Sequence, residues 1–171
     1  DFIDPRHWGR LDAYNQDEFY ANQKLQTKLS SLGLDTLTET LTIDYLLNKL
    51  KEQKNQNIEI KSLLMNQNFL AGIGNIYASE SCFLAGVNPF KRIKDLTSDD
   101  IRNLVEAIPE VIKNAYSTGG STIRTYKNPI GQKGRTEHMV YGMKICRLCN
   151  NLISKGPQES RTTYWCSHCQ I

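Results

Sequence analysis

"IEIKSLLMNQNFLAGIGNIYASESCFLAG", residues 58–86, sets two apolar runs of helical spacing on either side of a glycine-bearing turn, and its reading decides the fold. "IEIKSLLMNQ" predicts a short helix, and "NIYASESCFLAG" predicts a second helix closed by Gly86. Between them, "GIGNIY" (72–77) invites a dinucleotide-binding reading. That reading fails, because the third glycine is missing and the turn follows a helix instead of a strand. Gly72 and Gly74 instead allow a tight turn whose backbone can approach a partner closely. Asn75 then opens a helix whose N-terminal amides and dipole favour an anion, a phosphate being the natural candidate. From this stretch alone, the plainer account is that Asn75 caps the helix and the glycines serve packing. Lys61, fourteen residues before Asn75, reads as a helix-surface lysine until something places it near a ligand, and no lysine of the chain has an evidently apolar setting.

Outward from this stretch, helical periodicity continues in both directions. "QDEFYANQKLQTKLSSLG" carries Phe19, Leu25, Leu29 and Leu32 with Gly33 as its stop, and Thr42 is placed to cap a helix that buries Ile43, Leu46, Leu47 and Leu50. Thr97 and Asp100 have capping-box spacing at the head of a helix ending at Gly119 and Gly120. Pro109 inside it predicts a bend near Glu106 or a split in two. "DFIDPRHWGRL", at the start, reads as a strand end running into a loop. Arg6 and Trp8, two apart, fall on one side of it if it is extended, where they are either a wedge for a duplex or a loop with a packed Trp.

The 171 residues are 39% hydrophobic and 23% charged, enough for one compact domain and a small appendage. The net charge of +3 permits a nucleic-acid partner without declaring one. Its distribution says more. From Lys113 onward there are nine basic residues (Lys113, Arg124, Lys127, Lys133, Arg135, Lys144, Arg147, Lys155 and Arg161) against Glu137 and Glu159 alone. No apolar run is long enough for a bilayer and no signal peptide is evident, so an intracellular, cytoplasmic protein without membrane attachment is expected.

Four of the five cysteines form two knuckles, Cys146-x-x-Cys149 and Cys166-x-x-Cys169, sixteen residues apart. This is the spacing of a four-cysteine zinc ribbon, in which four thiolates close a tetrahedral shell around one structural Zn2+. "LISKGP" is expected to turn and "RTTYWC" to run as a strand between the knuckles. Arg161 on that hairpin is equally a solvated arginine or a presented one. Cys82 reads as plain core.

Together these stretches resemble the C-terminal portion of the formamidopyrimidine-DNA glycosylases, bacterial enzymes that remove oxidised purines from DNA. "DPRHWG" is similar to the family's Asp-Pro-Arg-Arg-Phe-Gly, "IKSLLMNQNFLAGIGNIYASE" to its helix-two-turn-helix, "STGGSTIRTYKNPIGQKG" to its base-capping loop, and "VYGMKICRLC" with "RTTYWCSHCQ" to its zinc finger. Residues 10–57 share only loose similarity.

The resemblance implies a mainly α fold, a helix-two-turn-helix domain followed by a β-hairpin zinc finger and preceded by the end of a missing β-sandwich. The expected divisions are 1–14 for that remnant, 15–137 for the helical domain and 138–171 for the finger. Asn75 and Arg161 are then expected to grip phosphates with support from Lys61 and Tyr141. Arg6 and Trp8 fill the vacated stack, and Ser121, Thr122, Arg124 and Tyr126 belong to the loop over the extruded base. His7 and Trp8 stand where the family usually has Arg and Phe, which makes the wedge bulkier.

The implied partner is double-stranded DNA carrying oxidised bases or abasic sites, bound by a monomer. The implied activity is that of a bifunctional glycosylase and AP lyase. The family's nucleophile is an N-terminal proline amine followed by glutamate, and this sequence begins Asp1-Phe2. No catalytic residue is therefore assigned, and the chain is expected to bind damaged duplex without excising or nicking. The competing reading is a stand-alone nucleic-acid-binding or scaffold module, since a similar helix-two-turn-helix occurs in a ribosomal protein. The zinc finger and capping loop favour the first.

Overall fold

Capping residues, more than apolar spacing, decide where the first helices begin and end. The computed structural model describes residues 11–122, 131 and 134–171, and the chain divides into two compact units, Asp1–Leu32 and Gly33–Ile171. The expected helix over 16–33 is instead a pair, α1 (Gln16–Ala21) and α2 (Gln23–Ser30), neither of which buries a residue. Asn15 and Glu18 make a reciprocal capping box at the head of α1. Asn22 then ends α1 and caps α2, its side chain accepting from the Leu25 N–H at 3.1 Å. A local bond of this kind competes with helix continuation and wins where no core burial opposes it.

The second unit packs its helices around one core. In chain order it has β1 (Leu34–Asp35), α3 (Ile43–Lys51), α4 (Ile60–Leu64), β2 (Leu70–Ala71), α5 (Asn75–Leu84), a short 3-10 turn (Ile93–Asp95) and α6 (Ser98–Ser117). Thr42 caps α3, as expected, and Leu46 and Leu50 are buried while Ile43 stays exposed. The two short strands pair in parallel, Leu34 with Leu70 and Asp35 with Ala71. Ile60, Leu63, Leu64, Ile73, Ala78 and Cys82 meet Leu104, Ile108 and Ile112 in the core. At about 1.5–3 kcal/mol for each large aliphatic buried, this is the main stabilising contribution.

The Thr97–Asp100 capping box forms at the head of α6, but Pro109 does not split that helix, which runs unbroken from Ser98 to Ser117. Ile108 and Ile112, on either side of the proline, are both buried and keep the two halves in register. Their burial offsets the roughly 3 kcal/mol that an interior proline costs.

The C-terminal hairpin is β3 (Ser154–Gln158) against β4 (Arg161–Trp165), antiparallel, with Gln158 opposite Arg161. The turn expected in "LISKGP" therefore lies later, at Glu159 and Ser160, and Glu159 takes a left-handed φ of 51°. Pro157 is tolerated because each strand of a two-stranded ladder is an edge.

A second apolar cluster of Phe83, Val140, Cys146 and Cys166 fastens this hairpin region to α5. Two buried glutamines add polar anchors. Gln158 Nε2 donates to Glu59 Oε2 and the Pro89 carbonyl, and Gln170 Nε2 donates to the Val87 carbonyl while its Oε1 accepts from the Cys166 N–H. Among the described residues, no helix is long and apolar enough to cross a membrane.

Candidate nucleic-acid interface

The turn between α4 and α5 is built by Gln67 and two glycines. Gln67 Oε1 accepts from the Gly72 N–H and its Nε2 donates to the Ile73 carbonyl, both at 2.9 Å, and Gly72 takes a positive φ of 81°. Gly74 is the N-cap of α5 and offers no side-chain cap. Asn75 is therefore not the cap, as the plainer reading had it, but the first residue inside the helix. Its side chain is left for tertiary contacts, while the uncapped amides of the first turn are left for an anion.

Those contacts gather most of the expected phosphate-binding residues. Lys61 Nζ donates to Asn75 Oδ1 at 2.7 Å. Asn75 Nδ2 donates to the Thr162 carbonyl at 3.0 Å, and more weakly to the Tyr141 hydroxyl at 3.4 Å. Tyr141 also packs against Tyr164, with ring centroids 5.0 Å apart. Arg161 lies exposed at the head of β4, and with Lys155, Thr162 and Tyr164 it lines a shallow concavity on the hairpin.

Lys61 is not the helix-surface lysine that its spacing suggested: it is 1% exposed. The short α4 is buried along Ile60, Lys61, Leu63 and Leu64, which leaves the ammonium to find Asn75 Oδ1 and Met65 Sδ. Burial lowers its pKa, and the neighbouring Arg161 charge lowers it further. Cys82, Glu159 and Glu59 pull the other way.

Tyr141 is aimed by a residue that the sequence reading missed. Glu80, 7% exposed, accepts three successive backbone N–H groups, from Met139 through Oε2 and from Val140 and Tyr141 through Oε1, at 2.8, 3.1 and 2.8 Å. The available signal was a lone carboxylate in the otherwise small and apolar run "IYASESCFLAG". Of the expected base-capping residues, Ser121 is buried and bridges to Thr136, and Thr122 is exposed. Arg6, Trp8, Arg124 and Tyr126 lie outside the described residues.

The sulfurs of Cys146, Cys149, Cys166 and Cys169 all lie within 4.8 Å of one another. A tetrahedral ion with metal–sulfur bonds of about 2.3 Å sets its sulfurs about 3.8 Å apart. The Cys146–Cys169 and Cys149–Cys166 separations of 3.8 and 3.5 Å fit that shell, and none of the cysteines forms a disulfide. The Asn151 backbone N–H holds the Cys149 thiol down to about 6, so one thiolate is already favoured at neutral pH.

The helical turn, buried lysine and four-thiol clip define a helical domain with a cysteine-clipped hairpin, and the family model for the formamidopyrimidine-DNA glycosylase H2TH domain matches residues 32–127. The chain belongs to that family. It is 38% identical to the formamidopyrimidine-DNA glycosylase of Wolbachia pipientis subsp. Culex pipiens, over 99% of this chain and 60% of that protein. The glycosylase of Xylella fastidiosa is 33% identical over the same shares. The chain thus spans about three fifths of the length of these relatives.

Among solved structures, the MutM (Fpg) protein of Thermus thermophilus superposes with a TM-score of 0.84 at 34% identity, over 98% of this chain and 62% of that one. Lactococcus lactis Fpg in complex with DNA containing an abasic site superposes with a TM-score of 0.76 at 32% identity, over 88% and 56%.

Proposed function

We propose that this chain is the DNA-gripping part of a bifunctional base-excision-repair glycosylase and AP lyase that removes oxidised purines such as 8-oxoguanine and formamidopyrimidines. The observation that carries this is the convergence of Lys61, Asn75, Tyr141 and the hairpin on the open N-terminus of α5. Lys61 and Arg161 repel one another. A backbone phosphate set between Arg161 and the first amides of α5 relieves that repulsion and takes the helix dipole as well.

In this reading Arg161 and Asn75 hold phosphates, and Lys61 fixes the rotamer of Asn75 from below. Tyr141 braces the same amide. Ser121, Thr122, Arg124 and Tyr126 cover an extruded base, and Arg6 and Trp8 occupy the gap it leaves. Cys146, Cys149, Cys166 and Cys169 hold one Zn2+, which supplies a closed structural shell and no open position for chemistry. The residues assigned here bind and orient, and none carries a bond-breaking step. The solved relative bound to abasic-site DNA supports the choice of partner.

Fluorescence anisotropy with an abasic-analogue duplex and its undamaged counterpart tests the reading. Tighter binding to the abasic duplex, weakened on both by Asn75→Ala, is expected. Equal affinity for the two duplexes, unaltered by that substitution, overturns it.

A further inference from the structure

We infer that His138 is a positioning residue that ties Ser121, on the base-capping segment, to the turn that presents Tyr141 to Asn75. The inference rests on the proposed role of Ser121 near the extruded base. His138 Nε2 and Ser121 Oγ are 3.0 Å apart. On its other side His138 directly precedes Met139, Val140 and Tyr141, the three residues whose N–H groups the Glu80 carboxylate holds. Its ring also meets the Tyr141 ring edge-on at 6.0 Å. A short path therefore runs from Ser121 through His138 and Tyr141 to Asn75 and Lys61.

The anchorage at the Ser121 end is firm. Thr136 Oγ1 donates to the Gly120 carbonyl, the Thr136 N–H reaches the same carbonyl, and Ser121 bridges to Thr136. Gly134 packs so closely on the Gly120 carbonyl that a Cβ there has no room. Ser121 is thus held in place beside His138.

Packing alone does not account for a histidine at this position. Its Nδ1 is buried with no hydrogen-bond partner among the described residues, and an apolar side chain avoids that penalty. The ring lies in a cavity of about 390 Å³ that it shares with Tyr77, Glu80, Glu110, Glu137 and Arg147. Glu137 and Arg147 are paired with each other at 2.6 Å. Burial lowers the His138 pKa, with Glu80 opposing, so the ring is neutral at neutral pH. What the ring provides that leucine lacks is the Nε2 link to Ser121. A polar atom kept against the packing interest is the pattern expected of a working site.

The test is a double-mutant cycle on Ser121→Ala and His138→Leu with three duplexes: 8-oxoguanine, the same sequence with guanine, and the same sequence with an abasic analogue. Zinc content and thermal melting confirm folding. Each single variant is expected to lower the preference for the 8-oxoguanine duplex over the abasic one by up to about tenfold, the size of one hydrogen bond. In His138→Leu, affinity for the guanine and abasic duplexes should stay within about twofold. The double variant should lose no more than either single one, and His138→Gln, which restores a polar atom near the Nε2 position, should recover most of the preference.

Additive losses overturn the inference, as does an unchanged preference in His138→Leu, while the proposed function stands. Wild-type protein that does not distinguish 8-oxoguanine from guanine overturns the role of Ser121 and the inference with it.

Discussion

Lys61 Nζ and Asn75 Oδ1 meet at 2.7 Å across the turn joining α4 to α5, so a buried ammonium orients the residue that leads the candidate phosphate-binding helix. Such an arrangement separates stability from binding. Lys61→Met keeps most of the side-chain length and removes the buried charge, and should leave stability unchanged or raise it by about 1–2 kcal/mol. DNA affinity should fall about tenfold as Asn75 loses its orienting donor.

The sign of the pH dependence follows from burial. The native Lys61 pKa lies below the ordinary 10.5, so the unfolded chain keeps a proton that the native chain releases earlier. Wild-type stability relative to Lys61→Met should therefore be least below the native pKa and rise between that value and 10.5. Urea melts at neutral and alkaline pH check this, and a gap that widens in favour of methionine as pH rises contradicts it.

Glu80→Gln should be costly despite its small size. The carboxylate accepts at both oxygens, and an amide can accept at only one. If the amide oxygen stays with Val140 and Tyr141, its NH2 faces the Met139 N–H, and the reverse placement strands two donors. A loss of about 2 kcal/mol in chemical denaturation is expected, together with weaker DNA binding as Tyr141 loses its support. Wild-type stability in this variant contradicts the cradle.

The thiol clip should hold one zinc per chain. Trp165 packs edge-on against Phe90, with ring centroids 4.9 Å apart and an interplanar angle of 77°, close to Cys166 in sequence. In a Trp8→Phe background Trp165 is the only tryptophan. Chelation should then free it from Phe90 and shift its emission to longer wavelength. Elemental analysis of folded protein never exposed to chelator decides the matter, and a stoichiometry near zero removes the metal from the account.

Features set by local chemistry were legible in the residues alone. The Thr42 cap and the Thr97–Asp100 capping box depend on neighbours three positions away, and each Cys-x-x-Cys knuckle is as local, although the two knuckles meet across sixteen residues. What escaped depends on distant partners. Tyr141, 66 residues from Asn75, was expected beside it through the family resemblance alone, and Glu80, which reaches Met139 over 59 residues, was not expected at all. Lys61 carries no local sign of burial, because its apolar neighbours read as the buried face of α4 and the lysine itself as the wet one. Asn22 is the opposite case: a local cap inside an apolar helical period, it ends α1 and starts α2 where the period alone predicts one helix.

Arg161 should behave as a phosphate contact. It stands exposed at the head of β4, on a hairpin held by Gln158 and the thiol clip. Arg161→Ala should weaken binding to all duplexes alike and reduce the slope of log affinity against log salt by about 1. An unchanged slope removes Arg161 from the phosphate contacts.

The depressed pKa of Lys61 makes it the lysine to consider as an amine nucleophile, since an uncharged amine is what Schiff-base formation at a deoxyribose C1′ requires. Geometry argues against it. Its Nζ is enclosed at 1% exposure for the residue, is held by Asn75 Oδ1 at 2.7 Å, and has Met65 Sδ at 3.6 Å. A sugar carbon cannot approach to bonding distance without unpacking α4 from the core. Borohydride reduction of the purified 171-residue chain mixed with an abasic duplex should therefore trap no adduct at Lys61, although the duplex is bound. The control is Lys61→Met, which should leave any background adduct unchanged. A covalent adduct present in the wild type and lost in Lys61→Met means that α4 opens on DNA binding and that Lys61 attacks the sugar.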